Sequence, residues 1–437
     1  MVVGASVAVA TRPDLVAAYP WWIAWLAVMT GAWIWGLWQV RGESPPSERR
    51  SSTVVWVVAV SAVARLALSV PDAPLSDDLY RYLWDGRVAN AGINPFLHAP
   101  VAEELAHLRD DAIWPHINHP DVSTIYPATA QLYFRALDAL GGDPRSPRWG
   151  AALFDTLTVW LLAGMLARRG RSPRAALAFG WCPLAILESG GGGHVDSLGI
   201  LAMVAALALA DVRRPRLFPA GVAFGLSTLV KPMAPLLLPA QLRDRSWRSI
   251  LALLLGGTLT LALVVPDLDA GSQLFAGFRT YAHHWQFNDA FYSVIVEHGA
   301  GPTGTRWVLA LGTGLIAWIV GFTVRDRAAA ASVVVAVALT LSPTVHPWYV
   351  TWLAALLVWA PRSAQRAFLA FVALAPVSYY CAWSFSRTGE WVEPAWLWWI
   401  SWALPATILT LDRVRTVRSP DARSAERATP RDESAWS

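Results

Sequence analysis

An all-α polytopic membrane protein is the fold class the sequence predicts, and three observations predict it. Of 437 residues, 55% are hydrophobic and only 15% charged, against about 25% charge in soluble domains. Seven apolar runs approach the ~20 residues a helix needs to cross the hydrocarbon core. The arginines fall on alternate connections between the apolar runs. Hydrophobicity this high excludes a disordered chain. Two cysteines, Cys182 and Cys381, both in apolar runs, exclude a disulfide scaffold and a Cys-based metal site.

Taken in order, residues 1–10 are apolar but too short to span, and without a basic n-region they predict no cleavage. The long runs are 19–40, 53–70, 148–167, 249–266, 306–324, 366–383 and 394–411. Shorter runs are 175–189, 195–211, 217–230, 233–242, 329–345 and 347–360. Together they predict about thirteen transmembrane or re-entrant helices in one domain, 1–411. Trp21 with Trp22, and Trp398 with Trp399, sit at run ends as interfacial belts do. No inverted repeat of the kind found in transporters is visible.

One set of connections holds Arg41, Arg49 and Arg50; Arg168, Arg169, Arg171 and Arg174; Arg213, Arg214 and Arg216; Arg243, Arg245 and Arg248; Arg325 and Arg327; Arg362 and Arg366. The alternate connections are Arg-poor: 190–196 has none, 267–305 has only Arg279 and 384–393 has only Arg387. The positive-inside rule makes the first set cytoplasmic. The N-terminus is then expected outside, and 412–437, polar and without apolar periodicity, is expected to be a disordered cytoplasmic tail. The net charge of +4 therefore records membrane orientation and points to no nucleic-acid partner.

The largest outer segment, 71–147, carries eleven acids against five bases, net −6, interleaved with aromatics. Its stretches 77–91 and 126–140 show helical, amphipathic spacing suited to helices lying in the interface. Within it lies the sharpest motif, Ser76-Asp77-Asp78-Leu79-Tyr80-Arg81-Tyr82-Leu83-Trp84-Asp85-Gly86-Arg87, followed by Gly92-Ile93-Asn94-Pro95-Phe96. Two readings compete. Ser76 or Asp77 is an N-cap with the next acid complementing the helix dipole, or Asp77 is a general base with Arg81 on its helix face keeping it ionised.

This cluster, with Thr124-Ile125-Tyr126-Pro127, resembles the integral-membrane glycosyltransferases of the C fold class (GT-C), which use polyprenyl-phosphate sugars. Those enzymes carry an acidic motif in the first large outer loop, just after an outward helix. Asp77, Tyr80 and Asp85 fall on the Asp-x-Asp-Tyr pattern of GPI mannosyltransferases, with Asp78 adjacent to Asp77 rather than alternate. Gly-His-Val-Asp at 193–196 and His346-Pro347-Trp348-Tyr349 are similar to elements of bacterial polyprenol-phosphomannose-dependent mannosyltransferases. The resemblance covers roughly residues 50–360 and implies a GT-C-like fold.

Further residues extend the expected cavity. His194 and Asp196 flank a helix start behind Gly190–Gly193, which reads as a flexible outer hairpin, a phosphate-binding nest or the resembling family's cavity wall. Lys231, the only lysine, ends a run that rises only ~21 Å, and Pro232 and Pro235 follow it. It either snorkels to the interface or clamps the donor's phosphate. The outer loop 278–292 presents His284 and Trp285, and the 342–349 turn presents His346, Trp348 and Tyr349; both suit sugar stacking as well as an interfacial belt.

The expected activity is transfer of a hexose, mannose by the resemblance, from a polyprenyl-phosphate donor to a glycan or glycolipid acceptor at the outer face of the cytoplasmic membrane. Asp77, with Asp78 beside it, takes the acceptor's proton. Lys231, with Arg81 or His346, stabilises the departing phosphate. Tyr80, Asp85, Arg87, Tyr126, His194, Asp196, His284, Trp285, Trp348 and Tyr349 line the cavity. The sequence settles no cofactor, and the two adjacent acids leave a divalent cation open. A transporter or lipid flippase, and a lipid-diphosphate-dependent polymerase or ligase, are the alternatives from other classes.

Overall fold

The computed structural model describes residues 1–41, 50–212 and 215–418. Arg49, Arg213 and Arg214 lie outside the described residues, as does 419–437. Among the described residues the chain is helical, with no strand and only two isolated β-bridges. It is an all-α polytopic membrane protein.

Among the described residues, four helices are long and apolar enough to cross a membrane: Ser146–Arg168, Trp247–His284, Pro302–Thr323 and Gln365–Thr388. The remaining apolar helices are shorter or broken, so thirteen full spans are not seen. Backbone chemistry explains the breaks. Pro266 and Gly271, the latter at φ 52°, interrupt Thr260–Phe275, and Pro376 interrupts the stretch after Leu374. Broken backbone at membrane depth is tolerated where protein covers it, as at the buried Pro376, whereas Thr260–Phe275 is mostly exposed.

Helix α1 (Val2–Ala10) packs on α2 (Tyr19–Gln39) and α3 (Arg50–Leu68). Between α1 and α2, Asp14 bridges to Ala73, so this connection and the 71–147 segment leave the bundle on the same face. That segment contains α4 (Asp78–Asn90) and α5 (Ala128–Ala139). They pack closely: the Tyr82 and Phe134 rings stack at 4.6 Å and 7°. A Cβ on Gly86 would stand 2.1 Å from the Phe134 carbonyl oxygen, so only glycine fits this crossing.

Helix α6 (Ser146–Arg168) returns into the bundle. Its Asp155 forms a fully buried ion pair with Arg65 of α3, 3.1 Å from Nε. Arg65 also donates to the carbonyl of Gly180, 2.8 Å away. That carbonyl belongs to the interrupted stretch Pro173–Gly192, which short turns replace where Pro183 removes a donor. The stretch ends in a π-turn, Leu187–Gly192, and in Gly193 at φ 71°. A Cβ on Gly190 would lie 2.3 Å from the Arg65 carbonyl oxygen. The expected flexible hairpin is therefore a buried, tightly packed turn.

Helices α7 (Asp196–Ala210) and α8 (Leu217–Thr228) follow. The Leu229 carbonyl at the end of α8 accepts from the backbone N–H groups of Thr129 and Ala130. The 71–147 segment is thereby docked at the end of α8, two residues before Lys231. Helix α9 (Pro302–Thr323), α10 (Arg327–Leu341) and α11 (Pro347–Leu356) complete this half. At the far end, the last helix runs to Arg418 and Arg366 donates to Asp412 at 2.9 Å. The predicted tail boundary at 412 therefore falls inside a helix, because Asp412 has a partner that holds it.

Candidate active site

Asp77 occupies the N-cap position of α4, but its side chain makes no cap. Instead Asn118 Nδ2 donates to Asp77 Oδ1 at 2.9 Å and to Asp78 Oδ1 at 2.8 Å. One amide thus holds both carboxylates side by side. Ser76 Oγ accepts from the Asp78 N–H. Asp77 is open to solvent, whereas Asp78 is largely covered. Burial, and secondarily the charge of Asp77, push the Asp78 carboxyl up to about 6; Asn118 and Lys231 oppose the rise.

Behind Asp78 lies His194, fully buried. Its Nδ1 is 3.7 Å from Asp78 Oδ2 and its Nε2 is 3.3 Å from Glu188 Oε2. The π-turn makes this possible, because it returns the chain so that the His194 N–H reaches the Glu188 carbonyl. The Tyr379 hydroxyl donates to Glu188 Oε2 at 2.9 Å and fixes that carboxylate from across the bundle.

Lys231 Nζ donates to Asp196 Oδ1 at 2.7 Å and lies 3.6 Å from the centre of the Tyr349 ring. Trp352 Nε1 donates to the same Asp196 oxygen at 2.6 Å. Tyr349 in turn is hydrogen-bonded to the hydroxyl of Tyr281. The lone lysine is therefore both ion-paired and seated on an aromatic face.

Four rings form a continuous wall. His194 stacks on Trp348 at 4.2 Å, Trp348 on His346 at 4.3 Å, and His346 on Phe287 at 4.9 Å. The 342–349 turn presents two of these rings because its backbone is tied to Phe287, whose N–H donates to the Pro343 carbonyl and whose carbonyl accepts from the Val345 N–H. Tyr126 meets Tyr82 edge-on at 5.2 Å beside the acids. At the rim, Tyr80 stacks on His116 and Trp285 packs against His119 and Tyr281.

Asp77, Asp78, Tyr126, His194, Asp196, Lys231, His346, Trp348 and Tyr349 thus converge, with Tyr80 and Trp285 at the edge. Four expected residues do not. Arg81 closes on Asp85 at 2.8 Å, and that pair is buried beneath α4. The i,i+4 neighbour that wins the arginine is the acid after it, not Asp77 before it, because Asp77 sits outside the helix. Arg87 binds Asp110 at 2.6 Å and the Leu108 carbonyl, bracing the outer segment. His284 is exposed beside His283, away from the acids.

Asn118, Glu188, Tyr379, Trp352 and Tyr281 were missed by motif reasoning. Only Glu188 left a signal, as an acid inside the apolar run 175–189. Among the described residues no three His, Cys, Asp or Glu side chains are grouped to hold a metal ion.

An acid pair, a cation and a ring wall thus lie together beneath the 71–147 segment. Comparison with known proteins decides the family. The model for "Alpha-(1->6)-mannopyranosyltransferase, N-terminal domain" matches residues 5–242, more than half of the chain. The chain belongs to the alpha-(1->6)-mannopyranosyltransferase family. The match includes Asp77, Asp78, His194, Asp196 and Lys231. The chain is also similar to "Alpha-(1->6)-mannopyranosyltransferase A" of Mycobacterium tuberculosis (strain ATCC 25618 / H37Rv), 27% identical over 455 residues, covering 93% of this chain and 82% of the relative. Membership of this family makes it a membrane glycosyltransferase of the mannosyltransferase type.

Proposed function

We propose that this mannosyltransferase uses a polyprenyl-phosphate mannose as donor and a hydroxyl of a glycan or glycolipid as acceptor. The observation that carries the reading is the convergence of the Asn118-clamped acids with Lys231 and the His194–Trp348–His346 wall on the face covered by the outer segment.

Asp77, open to solvent, is the acid an acceptor hydroxyl reaches first, with Asp78 behind it to share the proton. The acceptor oxygen attacks the anomeric carbon as the phosphate leaves as an anion. No second carboxylate is needed to protonate that leaving group, unlike in a glycosidase. Lys231 has ammonium donors beyond the one given to Asp196, and these face the departing charge. Arg81 is tied to Asp85 and takes no part. A single displacement inverts the anomeric carbon. An alpha product, as in the name of the relative, then requires a beta-linked donor, and a 1→6 linkage requires a primary hydroxyl on the acceptor. The Arg-rich connections support the reading that this face lies outside the cytoplasmic membrane.

The test uses purified full-length protein with labelled polyprenyl-phosphate mannose and a mannosyl acceptor. Labelled glycan and free polyprenyl phosphate should appear together. Asp77→Asn and Asp78→Asn should each lower transfer by about 10²–10⁴-fold. Unchanged turnover in both variants would sink the assignment, and donor movement across a bilayer without product would point to a transporter.

A further inference from the structure

The face opposite to Asp77 carries a second site. Chain direction identifies it: α2 leaves the Asp77 face and ends at Gln39, α6 ends at Arg168, and α11 leads from His346 to Trp359. Between these ends lies a cavity of about 350 Å³. Arg41, Arg171 and Arg362 line it together with Leu37, Leu357 and Leu369. The three arginines are exposed, and among the described residues none is in ion-pair contact with a carboxylate. Arg171 is held in place by donating to the Val358 carbonyl at 2.7 Å. Asp326 lines the adjoining cavity, but Arg169 and the start of α10 occupy its oxygens.

Three guanidinium groups that form no ion pair among the described residues, around one opening, call for an anion with several oxygens. The apolar floor calls for hydrocarbon beneath it. Ile34, Trp35 and Trp38, on the adjoining turns of α2, are more than half exposed, a surface suited to lipid rather than water. A free phosphate satisfies the arginines but leaves Leu37, Leu357 and Leu369 uncovered. We propose that this cavity binds the headgroup of an anionic phospholipid, its glycerol and first acyl carbons resting on the leucines. Basic pockets between helix ends on the side of anionic lipid are a recurrent means of such recognition.

The site is separate from the acids at Asp77 and Asp78, so its failure and that of the transfer reading are distinguishable. The probe is dioleoyl phosphatidylglycerol added to the full-length protein in a neutral detergent at fixed lipid-to-detergent ratio, with phosphatidylcholine as control. Phosphatidylglycerol should raise the melting temperature by several degrees and remain bound in native mass spectrometry, and phosphatidylcholine should do neither. Arg41→Gln with Arg362→Gln should abolish the shift while leaving the unliganded melting temperature and detergent-solution mannosyl transfer unchanged. Arg171 is left intact because it supports the Val358 backbone. Equal stabilisation by phosphatidylcholine, or a full shift in the double variant, would overturn the proposal. So would reproduction of the shift by inorganic phosphate, which would make the ligand a free anion. If the double variant fails to fold, Arg41→Lys with Arg362→Lys keeps the charge, and must retain at least half the shift for the site to stand.

Discussion

Lys231 and Asp196, 35 residues apart in sequence, form a 2.7 Å ion pair that Trp352 completes from a third segment. A lone cation in an apolar stretch therefore has a fixed counter-ion, and the carboxylate spends one oxygen on two donors. Neither partner is replaceable without leaving a charge in a poorly solvated place.

Lys231→Met should lower transfer by about 10²–10³-fold, the usual cost of removing one group aimed at developing charge. Asp196→Asn should act differently. It keeps an acceptor for Trp352 but frees the lysine charge, so it should weaken thermal stability as well as transfer. Steady-state kinetics beside a melting curve separates the two; identical profiles for both variants would argue against a donor-facing lysine.

The acids make a pH prediction. Asp78 titrates at about 6, above its ordinary value of 3.8, because it is buried beside Asp77. Asp78 must be ionised to share the proton that Asp77 takes, so transfer should rise with pH through about 6 and level off above 7. Stability should move the other way. A raised carboxyl favours the folded state fully below pH 3.8, and that contribution is lost as pH rises through 6. Asp78→Asn retains the Asn118 hydrogen bond, so it should stabilise the inactive protein at pH 7 by about 3 kcal/mol. The gain should vanish near pH 4 in the same melting assay.

Arg65 and Asp155 predict stability without catalysis. Their pair is buried and joins α3, α6 and the Gly180 carbonyl. Removing either side chain should cost about 3–5 kcal/mol. Yield and melting temperature in detergent would show it, and an Asp155→Asn variant as stable as the parent would refute it.

Gly86→Ala tests the α4–α5 crossing. Its methyl would meet the Phe134 carbonyl oxygen at 2.1 Å, so the helices must separate, at about 1–3 kcal/mol. Because α4 carries the acids, transfer should fall with stability. Gly92→Ala, at φ 78° but with open space around it, should cost only its backbone strain.

Orientation is tested by a reporter fused after Gly142. The arginine distribution expects an external signal; a cytoplasmic one would reverse the membrane sidedness and the proposed site of transfer with it.

The sequence by itself determined the helical class and the approximate position of most helices, because apolar content and run length follow from the bilayer alone. It also located the acid pair, the 193–196 element, Lys231 and the 346–349 turn, since each interrupts an apolar pattern with polar groups. Only the tertiary structure decided who meets whom. Glu188 reaches Tyr379 across 191 residues, and Asp196 reaches Trp352 across 156. Asn118, with no motif of its own, clamps both acids from 40 residues away. Arg81 turned to Asp85, and the glycine run became a rigid π-turn instead of a flexible hairpin. The physical reason is the same in each case. Local pattern says which side chains avoid water or need a partner, but helix packing brings the partner within reach.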